Sequence, residues 1–559
     1  MSGTPPVRKD QGTSRGRIRC DVLVVGGAST ALVAALEARK WVENVVVVCK
    51  KDAGRSGNTI VSGAAFSVCV SSPENPDSIG QHFSDTLDAG VGINDPALTS
   101  ALVEEGQEAV LSLEQYGVRL LRSQGSLVRR TPPGHSRPRS IPTDLKDFAH
   151  GTRGLSITVP LAESARQRGI RIFRQAPVQR ILVKDGAVCG ALAVEAGTGR
   201  PFLISAAAVI LAAGGGGRLF ARTNNTLDMT GDSFSLALEA GAALRDMEFV
   251  QFYPTRSISP VHTNISSPLF GEGAVLRNSL GERFMPRYDP KADMATRDVT
   301  SRAIFSEIQA ERGVNGGVYM DLSAVPSSSL ELKFPTTLKL LKAHRIDPAK
   351  QWLVVSPAVH FFMGGVWIDN RCRTSVDGLF SAGEAAGGVH GANRLAGNAL
   401  TETVVFGRKA GSEAAAYARK RRKLPEPPAV RVEMPPKNRS GVAVTEIKAR
   451  LRRTLWDHAS IVRTNEGLTK GIAEIEECGN ALVSCRIESP TDQVAYGEVS
   501  RMVQVGNAIV AASLMRQESR GAHYRKDYPD RNDVEWFGSS RVEKSGDTVK
   551  VRFVPSRRK

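Results

Sequence analysis

Apolar positions along the chain gather into short runs, and the first of them sets a pattern. Cys20-Asp-Val-Leu-Val-Val25 is a nearly unbroken β-rich stretch, Ala31 to Ala38 is Ala-rich, and Val45 to Cys49 is β-rich again. The order predicts strand, helix, strand, with Gly26-Gly-Ala-Ser-Thr30 as the turn into the helix. A strand followed by glycines recurs at Val209-Ile-Leu-Ala-Ala-Gly-Gly-Gly-Gly217 and at Gly378-Leu-Phe-Ser-Ala-Gly-Glu-Ala-Ala-Gly387. Between these two, residues 251–349 change to Pro-, Ser- and Arg-containing segments interrupted by helices. Beyond a Pro-rich stretch at 424–436, Ile447, Leu451, Leu455 and Val462 fall near i, i+4 spacing and Asn507 to Glu518 offers another helix, so the C-terminal part reads as helical. Gly546 to Val554 alternates polar and apolar residues, which predicts a terminal strand, and Arg557-Arg-Lys559 reads as a frayed end. No run approaches the roughly 20 apolar residues that a membrane helix needs, and there is no internal repeat.

Composition narrows the class. With 559 residues, 41% hydrophobic and 23% charged, the chain is too apolar to be disordered and too long for one core, so two to four domains are expected from ~100–200 residues per domain. Met1 to Arg19 mixes Pro, Gly, Ser and charges with no apolar segment, which predicts a disordered N-terminus without an ordinary secretory signal and a cytoplasmic protein. The seven cysteines (20, 49, 69, 189, 372, 478, 485) have neither disulfide-framework nor zinc spacing; they read as buried thiols, and no metal site is expected. A net charge of +17 favours anionic ligands. The basic residues are dispersed and lack interleaved aromatics, which argues against nucleic acid, and the one dense run, Arg419 to Lys423, reads as a solvated linker.

Glycines at a strand-to-helix turn let backbone approach a pyrophosphate, and a helix N-terminus offers it free N–H groups. Here the usual G-x-G-x-x-G is reduced to Gly26-Gly27, with Ala28 and Thr30 in later slots, so the turn alone fits either a dinucleotide or a plain tight turn. Cys49-Lys50-Lys51 stands where an acidic residue would meet a nicotinamide cofactor's ribose. Adding Gly54-Arg-Ser-Gly-Asn-Thr59 with Ser62-Gly63 to the segments above gives four Gly-rich sites converging on one extended ligand, which suggests FAD.

Longer motifs are more specific. Val389-His-Gly-Ala-Asn-Arg-Leu-Ala-Gly-Asn-Ala-Leu400, preceded by Ser381-Ala-Gly-Glu384, closely resembles the flavoprotein family of succinate dehydrogenase, fumarate reductase and L-aspartate oxidase. In order along the chain, Thr230-Gly-Asp232, Phe249-Val-Gln-Phe-Tyr-Pro-Thr255, Gly271-Glu-Gly273, Thr296-Arg-Asp298, Pro357-Ala-Val-His360 and Glu518-Ser-Arg-Gly-Ala-His523 agree with it, over about residues 20 to 540. The resemblance implies an α/β fold: a Rossmann-like FAD-binding domain at 20–250 and 350–415, an inserted α+β capping domain at 251–349, a linker at 416–440 and a C-terminal helical domain with a terminal extension at 441–559. It implies FAD contacts at Gly26, Ala28, Lys50, Ser56, Gly57, Asn58, Ala213, Gly214, Asp232, Glu384 and Asn398.

The same resemblance implies an oxidoreductase acting on a CH–CH group, with hydride transfer between flavin N5 and a carbon next to a carboxylate. Arg394 matches the carboxylate-binding arginine, His360 a substrate-binding histidine and Arg297 the arginine that exchanges a proton, a role that needs a relay because a guanidinium hardly deprotonates. Two departures stand out. Where the family has Thr and Glu before Gly271-Glu-Gly273, and an Arg immediately before it, this chain has Ser266, Ser267 and Phe270; where the family has a His, it has Tyr253. With Glu272, these residues outline a pocket for an uncharged substrate end, and a plain C4-dicarboxylate is not expected. Secondly, members with covalent FAD carry His after Arg-Ser, and Gly57 stands there, so FAD is expected to be noncovalent. The remaining alternatives are amine oxidation like that of L-aspartate oxidase, or a catalytically altered electron-transfer protein. The electron donor or acceptor is undefined, and an iron–sulfur subunit is among the partners the resemblance allows.

Overall fold

A computed structural model describes residues 17–556, apart from 74, 133, 147, 149–150, 422–423, 425, 427 and 429–436. Its centre is a seven-stranded sheet in the order Arg171–Phe173, Val45–Val48, Arg17–Val25, Pro201–Leu211, Ala187–Val194, Val178–Lys184, with Leu379–Ser381 also against Pro201–Leu211. Arg17–Val25 runs parallel to Val45–Val48 and to Pro201–Leu211, which runs parallel to Leu379–Ser381. Parallel strands are covered on both faces, which is why they read as unbroken apolar runs. Every residue of the helix Ser29–Ala38 is buried between the sheet and the long helix Asn398–Lys420.

Two antiparallel strands, Val250–Ser259 and Leu353–Phe362, carry the chain out of this layer and back. They form a second sheet with Thr263–Asn264, Val318–Asp321 and Val275–Arg277. The segment between them has a core of its own, built from residues such as Ile265, Phe284, Ile304, Met320 and Leu341. We refer to this segment as the inserted unit; the strands Val250–Ser259 and Leu353–Phe362 lie at the limits 251 and 349 expected for a capping domain.

Beyond it, Val444–Ala459, Asn465–Val483 and Pro490–Met515 form a three-helix layer whose Leu451, Leu455, Ile475, Val505 and Ile509 belong to the same core as the central sheet. Several boundaries differ from expectation. Arg17 to Arg19, assigned to a disordered N-terminus, are strand, because they pair with Leu203 to Ser205; residues 1–16 lie outside the described residues. The helix at 398 runs to Lys420, five residues past the expected domain end, and the linker's 429–436 and the tail 557–559 lie outside the described residues. Val462 follows the end of its helix. The helix seen in sequence from Asn507 starts at Pro490, where Ser489 and Asp492 form a reciprocal capping box; its first half is too polar to carry an apolar stripe. The terminal strand Thr548–Pro555 is half of a hairpin with Gly538–Ser545, which joins Leu244–Arg245, so the C-terminus is not purely helical. All seven cysteines are buried and unpaired. Among the described residues no helix is long and apolar enough to cross a membrane.

Candidate active site

Because their strands are parallel, the ends at Val25, Val48, Leu211 and Ser381 open on one side of the central sheet. There the loops touch. Gly26 has φ +139°, and a Cβ on it would lie 2.2 Å from the Ala212 carbonyl oxygen. Gly57, at φ +84°, faces Ala28 so closely that a Cβ would sit 2.7 Å from the Ala28 Cβ. Only glycine fits either place. Ala28 leaves the start of the helix Ser29–Ala38 without a side-chain cap, Ala213 N donates to Ser233 Oγ at 3.1 Å, Gly214 takes φ +75°, and Ser56 Oγ donates to Asp52 O at 2.8 Å. This bare-backbone cradle at the carboxyl ends of the strands fits an extended dinucleotide.

At the inner end, Asn58 Nδ2 donates to Glu384 Oε2 at 2.9 Å and Phe362 N donates to Glu384 Oε1 at 3.2 Å. Burial pushes the Glu384 carboxyl up to about 7. Thr226, whose N–H donates to Asn58 Oδ1, has a buried hydroxyl with no hydrogen-bond partner. Lys50 and Asp232 are joined to each other at 2.6 Å, and the pair is closed by Glu498 on Lys50 (2.7 Å) and Arg501 on Asp232 (3.1 Å). Burial opposes ionisation of Asp232, but Lys50 and Arg501 outweigh it and hold the carboxyl far below the usual range. The Asn398 side chain is turned to helix Ile79–Ala89, with His82 Nε2 and Thr86 Oγ1 each 3.0 Å away, so it is the backbone of Asn398 that remains for a ligand.

The three residues matched to substrate chemistry come together. Tyr253 and His360 sit on the paired strands Val250–Ser259 and Leu353–Phe362 with ring centres 5.5 Å apart. Arg297 opens the helix Arg297–Gln309 of the inserted unit and places its guanidinium 5.1 Å from the Tyr253 ring centre. Arg394, buried, donates from Nη2 to Gln251 Oε1 at 2.9 Å and lies 4.5 Å over the Phe361 ring. The Nε atoms of Arg297 and Arg394 are both buried without a hydrogen-bond partner. Asp298, the neighbour that could neutralise Arg297, is paired with Arg302 at 3.1 Å instead. Burial, and then the charge of Arg297, lower Arg394 to about 9; burial, Arg394 and Arg297 hold His360 well below its usual value, so its imidazole is neutral. Asn224 meets the His360 Nδ1 through its side-chain amide at 3.1 Å.

Around the altered end, the Tyr253 hydroxyl donates to Ile265 O at 2.9 Å and accepts from Ser267 Oγ at 3.3 Å. Ser266 precedes the short turn Ser267–Glu272, and Phe270 packs on the inserted unit's core. Glu272 is a correction: its carboxylate is held by Lys333 (2.7 Å) and Ser329 (2.9 Å), partners some sixty residues away in sequence, and makes no hydrogen bond to Arg297. Arg277 is likewise held by Asp321 at 2.8 Å. Sequence reasoning missed Gln251, inside the quoted Phe249–Thr255 segment, and Asn224. It also missed Arg153, which bonds Thr336 of the inserted unit.

Residues 21–400 match the FAD binding domain family and residues 448–558 the fumarate reductase flavoprotein C-terminal family. An uncharacterized FAD-dependent oxidoreductase of Methanocaldococcus jannaschii is 37% identical over 528 residues, covering 93% of this chain and 96% of that one. One subunit of the CoM/CoB fumarate reductase of Methanothermobacter marburgensis is 36% identical over 531 residues, 92% and 96% of the two chains. A substituted FrdA chain of E. coli quinol fumarate reductase superposes with a TM-score of 0.86 at 28% identity, over 97% of each chain. The chain therefore belongs to the succinate dehydrogenase, fumarate reductase and L-aspartate oxidase family of FAD-dependent flavoprotein oxidoreductases.

Proposed function

We propose that this oxidoreductase adds or removes hydrogen across the C–C bond next to a substrate carboxylate, with Arg394 and His360 gripping that carboxylate and Arg297 exchanging the proton. The observation that carries the reading is the pairing of a buried Arg394 with a half-buried Arg297, each with a buried, unpartnered Nε, beside a neutral His360 and with no carboxylate bonded to either among the described residues. Such a site is costly to bury empty and is suited to an anion. FAD, when bound, supplies hydride transfer at N5. The protein's own part is to hold the carboxylate, keep the carbon chain between Arg394 and Arg297, and carry the proton at Arg297.

The FAD contacts proposed are those of the cradle: Gly26, Ala28, Ser56, Gly57, Asn58, Ala213, Gly214 and Glu384, with Lys50 and Asp232 acting as a joined pair and Asn398 through its backbone. Attachment is noncovalent, since Gly57 offers no nucleophile. Tyr253, Ser266, Ser267 and Phe270 line the far end, and neither Glu272 nor Arg277 restores the family's acid and base there. Fumarate and succinate are accordingly poor substrates, and a monocarboxylate or bulkier acid is favoured. One relative is named as one subunit of a larger enzyme, which supports a partner protein carrying electrons, an iron–sulfur protein being the class proposed.

The test is to reduce the bound flavin anaerobically and screen unsaturated acids for reoxidation, then to run saturated acids in reverse. An accepted acid should lose on the order of 10²-fold or more in kcat/KM on Arg394→Ala, with flavin content unchanged, as for removal of one oriented charged donor. Fumarate turnover by the wild type as fast as that of any other acid tested would defeat the substrate preference, and an Arg394→Ala variant of undiminished activity would defeat the reading itself.

A further inference from the structure

Arg394 is set by two contacts that arise from a single strand pairing. Gln251 and Phe361 face each other across the antiparallel strands, at a register shift between Gln251 and Phe252. Phe361 supplies the ring under the guanidinium and Gln251 the carboxamide at its edge. The amide is fully used: Oε1 accepts from Arg394 Nη2 at 2.9 Å, while Nε2 donates to Asn393 Oδ1 at 2.7 Å and to the Arg394 carbonyl oxygen at 3.0 Å. It thus holds both the head of the arginine and the backbone that carries it. We propose that Gln251 is the positioning residue of Arg394, a neutral clamp that fixes the guanidinium for an incoming carboxylate while withholding a counter-charge.

Neutrality is the decisive property. A buried arginine is ordinarily paired with a carboxylate, and a Glu in this place would make the stronger, charge-assisted bond. It would also compete with the substrate and set its own oxygens against the Asn393 and Arg394 oxygens that the amide now donates to. The neighbouring acids keep to the same rule: Glu384 is bonded to Asn58 and Phe362, Glu402 to His390 (3.0 Å), and Asp298 to Arg302. None is hydrogen-bonded to Arg394, whose Nε stays unpartnered.

The inference rests on the proposed role of Arg394, and one experiment separates the two. FAD-loaded wild type, Gln251→Glu, Gln251→Met and Arg394→Lys are titrated with acetate and malonate, which lack a CH–CH bond to oxidise, and binding is read from the flavin absorption spectrum. Thermal melts and flavin content are recorded alongside. Gln251→Glu should weaken binding by about 10-fold or more, from the local charge alone, while keeping FAD. Gln251→Met, which removes the clamp but adds no charge, should fall between it and wild type. A role in packing alone predicts the reverse ranking, because Glu is the closer match to Gln in shape. Wild-type affinity in Gln251→Glu, or loss of FAD from both Gln251 variants, would overturn the clamp. If Arg394→Lys is impaired while Gln251→Glu is not, the grip stands and only the clamp fails; if Arg394→Lys binds normally, both fall.

Discussion

Glu384 accepts two hydrogen bonds, from Asn58 and the Phe362 N–H, and burial still raises its carboxyl to about 7 from an ordinary 4.5. A group with a raised folded-state pKa binds more protons folded than unfolded. Its contribution to stability is therefore full below the unfolded value and is lost as pH rises through about 7, on the order of 3 kcal/mol over that window. Asp246, which burial and then the charge of Glu248 leave at about 6, acts with the same sign, so the comparison must be between variants. Melts of FAD-free protein from pH 4.5 to 8 should show wild type losing more stability than Glu384→Gln; parallel curves would refute the assignment. Residues of this kind divide by what the chain's sequence exposes. Arg297, His360 and Arg394 are legible in sequence because each sits inside a recognisable local motif. The fate of Glu272 is not, because Lys333, its partner, arrives from a distant helix, and Gln251 is not, because an amide in a strand reads as an ordinary polar residue.

At the scale of elements, the loop bearing Gly57 closes against the first turn of helix Ser29–Ala38, and the contact leaves no room for a side chain. A Cβ at Gly57 would stand 2.7 Å from the Ala28 Cβ, on a backbone at φ +84° that side chains rarely adopt. This turns an absence noticed in sequence into a structural constraint: the position lost more than a nucleophile. Gly57→His should therefore not create a covalent flavin. It should instead shift the loop, reduce FAD content at purification, and still release all of its yellow colour on acid precipitation. Flavin retained on the washed, denatured pellet would show that the loop can yield. Elements whose signal is local were legible, such as the strand–helix–strand unit and the apolar stripe of helix Val444–Ala459. The hairpin strand Gly538–Ser545 was not, since its pairing with Leu244–Arg245 spans nearly three hundred residues.

Across the whole molecule, the inserted unit keeps a separate core while the C-terminal helices share the core of the central sheet. The helices are also joined to the cofactor cradle by charge. Lys50 at the end of the second strand meets Asp232, while Glu498 and Arg501 reach in from helix Pro490–Met515, and Lys448 from helix Val444–Ala459 completes the network on Glu498. Lys50, Asp232, Glu498 and Arg501 keep side-chain exposures of 16, 12, 17 and 9%. Removing one charge from such a network leaves a buried partner uncompensated, at a cost of about 3 kcal/mol. Glu498→Gln should lower Tm accordingly and loosen FAD, because it disturbs Lys50 and Asp232 together, although residue 498 lies far along the chain from any Gly-rich segment. The companion variant Glu477→Gln, on the neighbouring helix Asn465–Val483, breaks the exposed Arg450–Glu477 pair, whose members are 46 and 59% exposed, and should change stability by no more than about 1 kcal/mol. Calorimetry on both variants, with flavin release followed by fluorescence, measures the two effects. If Glu498→Gln lost stability but kept FAD as tightly as the wild type, the network would be a strut between layers, and Lys50 and Asp232 would have no part in holding the cofactor.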